Sequence, residues 1–140
     1  MELNNYYKHS KNPPFKWGIF YFISFVMLLS HYNSTAQSKL KFSDSKKNFG
    51  FVKQGTIVDV VYEFTNAGNA PLVITEAKVE CSCTSVEFPK QPIAPGQKNK
   101  ILIKFDTETV YDRQDRIVEI YSNDNNSPAY LRFKGVVLKK

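Results

Sequence analysis

The sequence predicts an all-β fold: an immunoglobulin-like β-sandwich of about seven strands, preceded by an N-terminal signal-peptide helix. Three observations predict it. Apolar residues alternate at period two along several segments, as a half-buried strand requires. Turn signals recur roughly every 8–12 residues, the rhythm of a sandwich or barrel. No stretch holds a 3.6-residue period over about ten residues.

The 140-residue chain opens on a basic segment carrying Lys8, Lys11 and Lys16. Gly18 to Leu29, "GIFYFISFVMLL", is uncharged and apolar. A bilayer-spanning helix needs about 20 such residues, so this run suits the core of a signal peptide better than an anchor. "SHYNSTAQ" follows, and small Ser34 and Ala36 predict cleavage before Gln37. Residues 1–36 are therefore read as a leader, and 37–140 as one domain of an exported protein, periplasmic or secreted. The alternative is an uncleaved anchor. No cysteine follows the apolar run, which disfavours a lipoprotein leader.

Cleavage would remove His9, His31, Met27 and Trp17, leaving a chain without His, Met or Trp. Without the leader's three lysines and Glu2, the formal net charge falls from +6 to +4. Basic residues are scattered among acidic ones apart from Lys46-Lys47 and Lys139-Lys140, so no nucleic-acid stripe is expected.

The elements follow in order. "FGFV", Phe49 to Val52, is a short aromatic strand closed by Gln54-Gly55. "TIVDVVYEFTN" puts Val58, Val60, Tyr62 and Phe64 on one face and Asp59, Glu63 and Thr65 on the other, with Ile57 and Val61. "NAGNAP" is a turn, because Gly and Asn tolerate positive φ and Pro71 fixes the exit. "PLVITEAKVE" is a strand leading into the cysteines. "PKQPIAPGQKN", with three prolines, reads as a loop. "KILIKFD" carries Ile101, Ile103 and Phe105 on one face. "FDTETVYDRQDR", with Glu108, Asp112 and Asp115 around Arg113 and Arg116, reads as a solvated charged loop; it lacks the spacing and glycine of a calcium loop. "RIVEIYS" turns Val118 and Ile120 one way and Glu119 the other. "NDNNSP" is a second turn, and "YLRFKGVVL" closes the chain with Leu131, Phe133 and Val137 on one face.

Cys81 and Cys83 are the chain's two cysteines, with one serine between them. In an extended strand both point to one face, in line with Val79 and Ser85. Four states fit that placement. A mutual disulfide would need a bulge or kink, because residues two apart in a strand lie roughly 6.6–6.8 Å apart, at the upper limit for the bond. Its loop is so short that chain entropy gives only about 1.6 kcal/mol, against about 3 for fifteen residues. Two buried free thiols are a second state. A zinc or copper(I) site is a third, with Glu80 and Glu87 as the nearest further ligands. A covalent link to a partner or second copy is the fourth.

A set of motifs runs through the same region: Phe49-Gly50, Phe64 to Gly68 (Phe-x-Asn-x-Gly), Pro71 to Ile74 (Pro-Leu-x-Ile), Cys81 to Thr84 (Cys-x-Cys-Thr), Pro92 to Gly96 (Pro-Ile-x-Pro-Gly) and the late Gly135. Together they resemble the bacterial family called domain of unknown function 1573, over about Phe49 to Val137. The resemblance implies a sandwich akin to the immunoglobulin-like modules of ciliary and centrosomal proteins, and more distantly to sperm-protein and pilus-chaperone domains. It implies no activity, since fold does not fix function. Cys81, Cys83 and Thr84 are the candidate binding or redox residues.

Without histidine, a Ser-His-Asp or Cys-His centre cannot be assembled after cleavage. There is no Gly-rich phosphate loop. The expected role is non-enzymatic: binding or scaffolding a protein or cell-envelope partner, with no cofactor, no nucleic acid and no stable membrane span after cleavage. The alternative is a thiol-redox or metal-handling protein acting through Cys81 and Cys83.

Overall fold

The structure, a computed structural model, describes residues 35–140. The leader expectation, apart from Thr35 and Ala36, lies outside the described residues. Eight strands are present: β1 (Leu40–Phe42), β2 (Lys46–Lys53), β3 (Ile57–Asn66), β4 (Ile74–Val79), β5 (Thr84–Glu87), β6 (Lys98–Asp106), β7 (Asp112–Ser122) and β8 (Ala129–Leu138). They form two four-stranded sheets, ordered β1-β3-β6-β5 and β2-β8-β7-β4. No helix of the described residues is long and apolar enough to cross a membrane.

Between the sheets lies the core that the alternating faces predict. Val58, Val60, Tyr62 and Phe64 of β3 meet Ile101, Ile103 and Phe105 of β6 in register, Val58 opposite Phe105 and Tyr62 opposite Ile101. From the other sheet come Val118 and Ile120 of β7 and Leu131, Phe133 and Val137 of β8. Their burial, at roughly 1.5–3 kcal/mol per large side chain, is the main drive to fold.

Three strand assignments change. A three-residue strand, β1, precedes those the sequence predicts, too short to show a period. The strand leading into the cysteines stops at Val79, and a separate β5 starts at Thr84. The charged loop is in part a strand: β7 begins at Asp112, so Gln114 and Arg116 turn inward while Arg113 and Asp115 turn out. Alternating polarity in "DRQDR" is strand periodicity carried by charged residues.

β2 runs parallel to β8 with an extra residue between Asn48 and Gly50. The bulged residue is Phe49, and Gly50 takes φ +74°, the left-handed conformation that glycine adopts at little cost. Phe49 drops inward onto Gly135 of β8, where any β-carbon would collide with its ring. The ring packs against Phe105 and Phe133, with centroids 6.0 and 6.4 Å away.

A second knot forms around Asn66, which is fully buried. Its Nδ2 donates to the carbonyls of Ala70 (2.8 Å) and Ile93 (2.9 Å), and its Oδ1 accepts from the amides of Gly68 (3.0 Å) and Lys39 (3.3 Å). The segment before β1 passes so close over Gly68 that a side chain there would strike the Gln37 carbonyl. Leu72 and Ile93 exchange both backbone hydrogen bonds, at 2.9 and 2.8 Å, so the proline-rich loop is pinned at Ile93. Asn66, Leu72 and Ile93 thus join three of the motifs into one buried junction.

Candidate functional site

β4 lies in one sheet and β5 in the other, so residues 80–83 form the corner at which the chain changes sheets. A sheet change needs a sharp reversal, and the Thr84 amide supplies it by donating to the Cys81 carbonyl at 3.2 Å. The turn brings the Cα atoms of Cys81 and Cys83 to 5.3 Å, well below the extended-strand spacing, and the two sulfurs are bonded. The expected placement on a pleated strand, in line with Val79 and Ser85, is therefore corrected. The turn removes the geometric objection to a local disulfide.

Both cysteines are half-buried, while Ser82 between them is exposed. Cys83 packs against the core, and its carbonyl accepts from the Asp106 amide of β6 at 2.8 Å. Thr84 is buried, with Oγ1 3.8 Å from each sulfur. All three predicted site residues thus converge. Glu80 stays exposed, and Glu87 is held by Lys104 at 2.7 Å. No group of three or more His, Cys, Asp or Glu that could hold a metal gathers among the described residues.

Sequence reasoning missed Arg116. Its guanidinium lies over the ring of Phe105, 6.0 Å from the centroid, and Phe105 is the register partner of Thr84. One terminal nitrogen donates to Gln114 Oε1 at 2.9 Å, while the buried Nε has no hydrogen-bond partner among the described residues. The inward alternation Gln114, Arg116, Val118 was the available signal.

A second grouping contradicts the expected scatter of basic residues. On the outer face of β2, β8 and β7, the residues Lys46, Arg113, Arg132 and Lys134 converge with Asp115 around a hollow of about 230 Å³, which Lys47 borders from the strand edge. β2 and β8 place Lys46 opposite Arg132, and β7 and β8 place Asp115 opposite Lys134. Arg132 grips Asp115 through Nε at 2.7 Å and through a second bond from a terminal nitrogen. This hydrogen-bonded pairing holds the Asp115 carboxyl below its ordinary range, partial burial opposes it, and the charges of Lys134 and Arg113 add to the lowering. Linear sequence hid the cluster because its members come from three strands.

Residues 40–137 match the family described as protein of unknown function (DUF1573). The chain belongs to that family. The aromatic-Gly, Asn-x-Gly and late-Gly positions of the chain are the Phe49–Gly135 contact and the Asn66 junction just described. No curated protein matches the chain. Among solved structures, a protein of unknown function from Porphyromonas gingivalis W83 superposes with a TM-score of 0.65 at 17% identity, over 76% of this chain and 51% of that one. PapD-like domain 7 of human CEP192 gives 0.58 at 9% identity, covering 100% of this chain and 98% of that one. The Vibrio cholerae VesB protease gives 0.56 at 18% identity, over 83% and 35%. The chain thus spans about half of the Porphyromonas protein and about a third of the protease. At such identities the likeness establishes the fold alone: an immunoglobulin-like β-sandwich.

Proposed function

We propose that this DUF1573 protein is an exported, non-enzymatic module that binds or scaffolds a protein or cell-envelope partner by accepting an extended segment along a sheet edge. One observation carries the reading. β2 is an eight-residue edge strand, paired to β8 on one side only, with Phe51 76% exposed beside it. Edge strands offer main-chain hydrogen bonds to an incoming strand, and neighbouring side chains select it. Lys46, Lys47 and Lys53 along β2 discourage pairing between copies and favour a partner of opposite charge. The leader-like segment supports export, and a chain without histidine after cleavage supports a non-catalytic role. The test is a photo-crosslinking residue at position 51 in cells producing the full chain, with position 57 as the control, since Ile57 is exposed on the other sheet. A discrete adduct from 51 and none from 57 is expected. Equal labelling from both, or none from either, defeats the reading.

The thiol reading keeps one supporting observation: a half-exposed corner disulfide flanked by Thr84 Oγ1. Exchange would begin with a partner thiolate attacking one sulfur and releasing the other as thiolate. Metal handling through Cys81 and Cys83 would require the reduced pair. Cys81→Ser and Cys83→Ser variants that keep full function in cells would remove this reading.

A further inference from the structure

We infer that the basic hollow on the outer face of β2, β8 and β7 is a binding site for a phosphate monoester carried on a saccharide. Charge comes first. Five cations and one carboxylate line the hollow, and that carboxylate, Asp115, is already held by Arg132 through two hydrogen bonds. Lys47 pairs with Asp44 at 3.4 Å. Arg113 and Lys134 make no ion pair among the described residues, and neither does Lys46. Three cations without a close ion pair of their own therefore face one small volume, with the Asp115 carboxylate that attracts Lys134 and Arg113 already bound to Arg132.

Like charges held side by side on a sheet destabilise it. Lys46 opposite Arg132 is such a pair, and Lys134 and Arg113 lie on a diagonal beyond it. A dianionic oxyanion seated among them would relieve that repulsion and accept charge-assisted hydrogen bonds from guanidinium and ammonium groups together. The Arg132–Asp115 clamp fixes one wall, so part of the site is organised before any ligand arrives.

The carrier is indicated by what adjoins the charges. A second hollow, of about 210 Å³, shares Arg113 and Lys134 with the first and is lined further by Asn48, Gly50, Phe51 and Val136. β2 and β8 set Phe51 opposite Val136, and Asn48 opposite Lys134. An exposed aromatic face beside an amide side chain suits a ring that is apolar on one face and rich in hydroxyls at its rim. A sugar phosphate spans the two hollows, phosphate among the cations and ring against Phe51. Both readings use Phe51, but edge-strand binding does not require Arg113 or Lys134, so changes at those two residues distinguish them.

Calorimetric titration of the full chain at low ionic strength tests this, with glucose 6-phosphate, glucose, inorganic phosphate and phosphatidic-acid vesicles as probes. Glucose 6-phosphate should bind and glucose should not. Added salt should weaken binding, because exposed charges are screened. Arg113→Gln with Lys134→Gln should raise its Kd about tenfold or more, while Lys100→Gln, on β6 of the other sheet, should leave it unchanged. Phe51→Ala should weaken glucose 6-phosphate but not inorganic phosphate. The inference is overturned by no binding of glucose 6-phosphate, by inorganic phosphate binding as tightly, by binding to vesicles alone, or by an equal loss in Lys100→Gln. Both altered faces are solvent-exposed, and unchanged circular dichroism would confirm that the variants fold.

Discussion

The ring of Phe49 occupies the space that a side chain at Gly135 would need. Neither residue explains itself alone. A phenylalanine placed inward from a bulged edge strand needs a hollow, and a glycine within a strand weakens it unless something fills the gap. The pair resolves both, and the ring also bridges Phe105 of one sheet and Phe133 of the other.

Gly135→Ala should therefore destabilise the fold by about 1–3 kcal/mol through overpacking. Phe49→Ala should cost about 3 kcal/mol or somewhat less, because the ring is half-buried. The double variant should be more stable than the sum of the two losses predicts, since the methyl then occupies space the ring has vacated. Urea denaturation of all four proteins measures the coupling. Additive losses would mean the contact is incidental.

Asn66 gives a second test. Replacing it with alanine leaves the Lys39 and Gly68 amides and the Ala70 carbonyl without their side-chain partner, while the Ile93 carbonyl keeps the Leu72 amide. Each unsatisfied buried group costs about 1–3 kcal/mol, so a loss of about 3 kcal/mol or more is expected. Asn66→Asp should be worse than alanine, because a carboxylate would face two carbonyl oxygens. Hydrogen exchange should speed first at the Lys39 and Gly68 amides. A loss confined to a few tenths of a kcal/mol would contradict this account.

The inward faces of β3, β6, β7 and β8 were legible in sequence because period-two alternation is a local property of consecutive residues. Val58 to Phe64 and Ile101 to Phe105 needed no tertiary information. The corner at Cys81–Cys83 was not legible, because β-branched residues run up to it and polar Ser82 and Thr84 fit either a strand or a turn. What decides is the change of sheet, a property of the whole fold. Arg116 was hidden by its charge, which argued for solvent although its strand position argued for the core. The basic hollow was hidden by register: Lys46 and Arg132 are distant in sequence and adjacent only through the parallel β2–β8 pairing.

The disulfide should act more as a local brace than as a staple for the fold. Protein purified without reductant should be two hydrogens lighter by mass than the fully reduced chain. Reduction, or Cys81→Ser with Cys83→Ser, should lower stability by only about 1–2 kcal/mol, as the closed loop is three residues long. A loss of about 4 kcal/mol or more, by equilibrium urea unfolding under matched conditions, would show that the corner supports the core far beyond loop closure.

Tyr62 gives a pH prediction with a definite sign. It is fully buried, and its hydroxyl donates to the Arg132 carbonyl at 2.8 Å. Burial, reinforced by the Asp44 carboxylate, pushes the hydroxyl pKa upward against a smaller opposing contribution from the Lys47 backbone. A phenol with a raised folded pKa holds its proton more tightly in the native state. Its contribution is complete below the unfolded value of about 10 and is lost as pH rises beyond it. Tyr62→Phe should cost about 1 kcal/mol at pH 7, the hydrogen bond being lost. Between about pH 10 and 12 the wild type should then lose stability faster than the variant, so the gap closes and reverses. The other tyrosines are common to both proteins and cancel in the difference. Parallel urea curves for the two proteins across that range would show that Tyr62 ionises as freely in the native state as in the unfolded chain and would overturn this account.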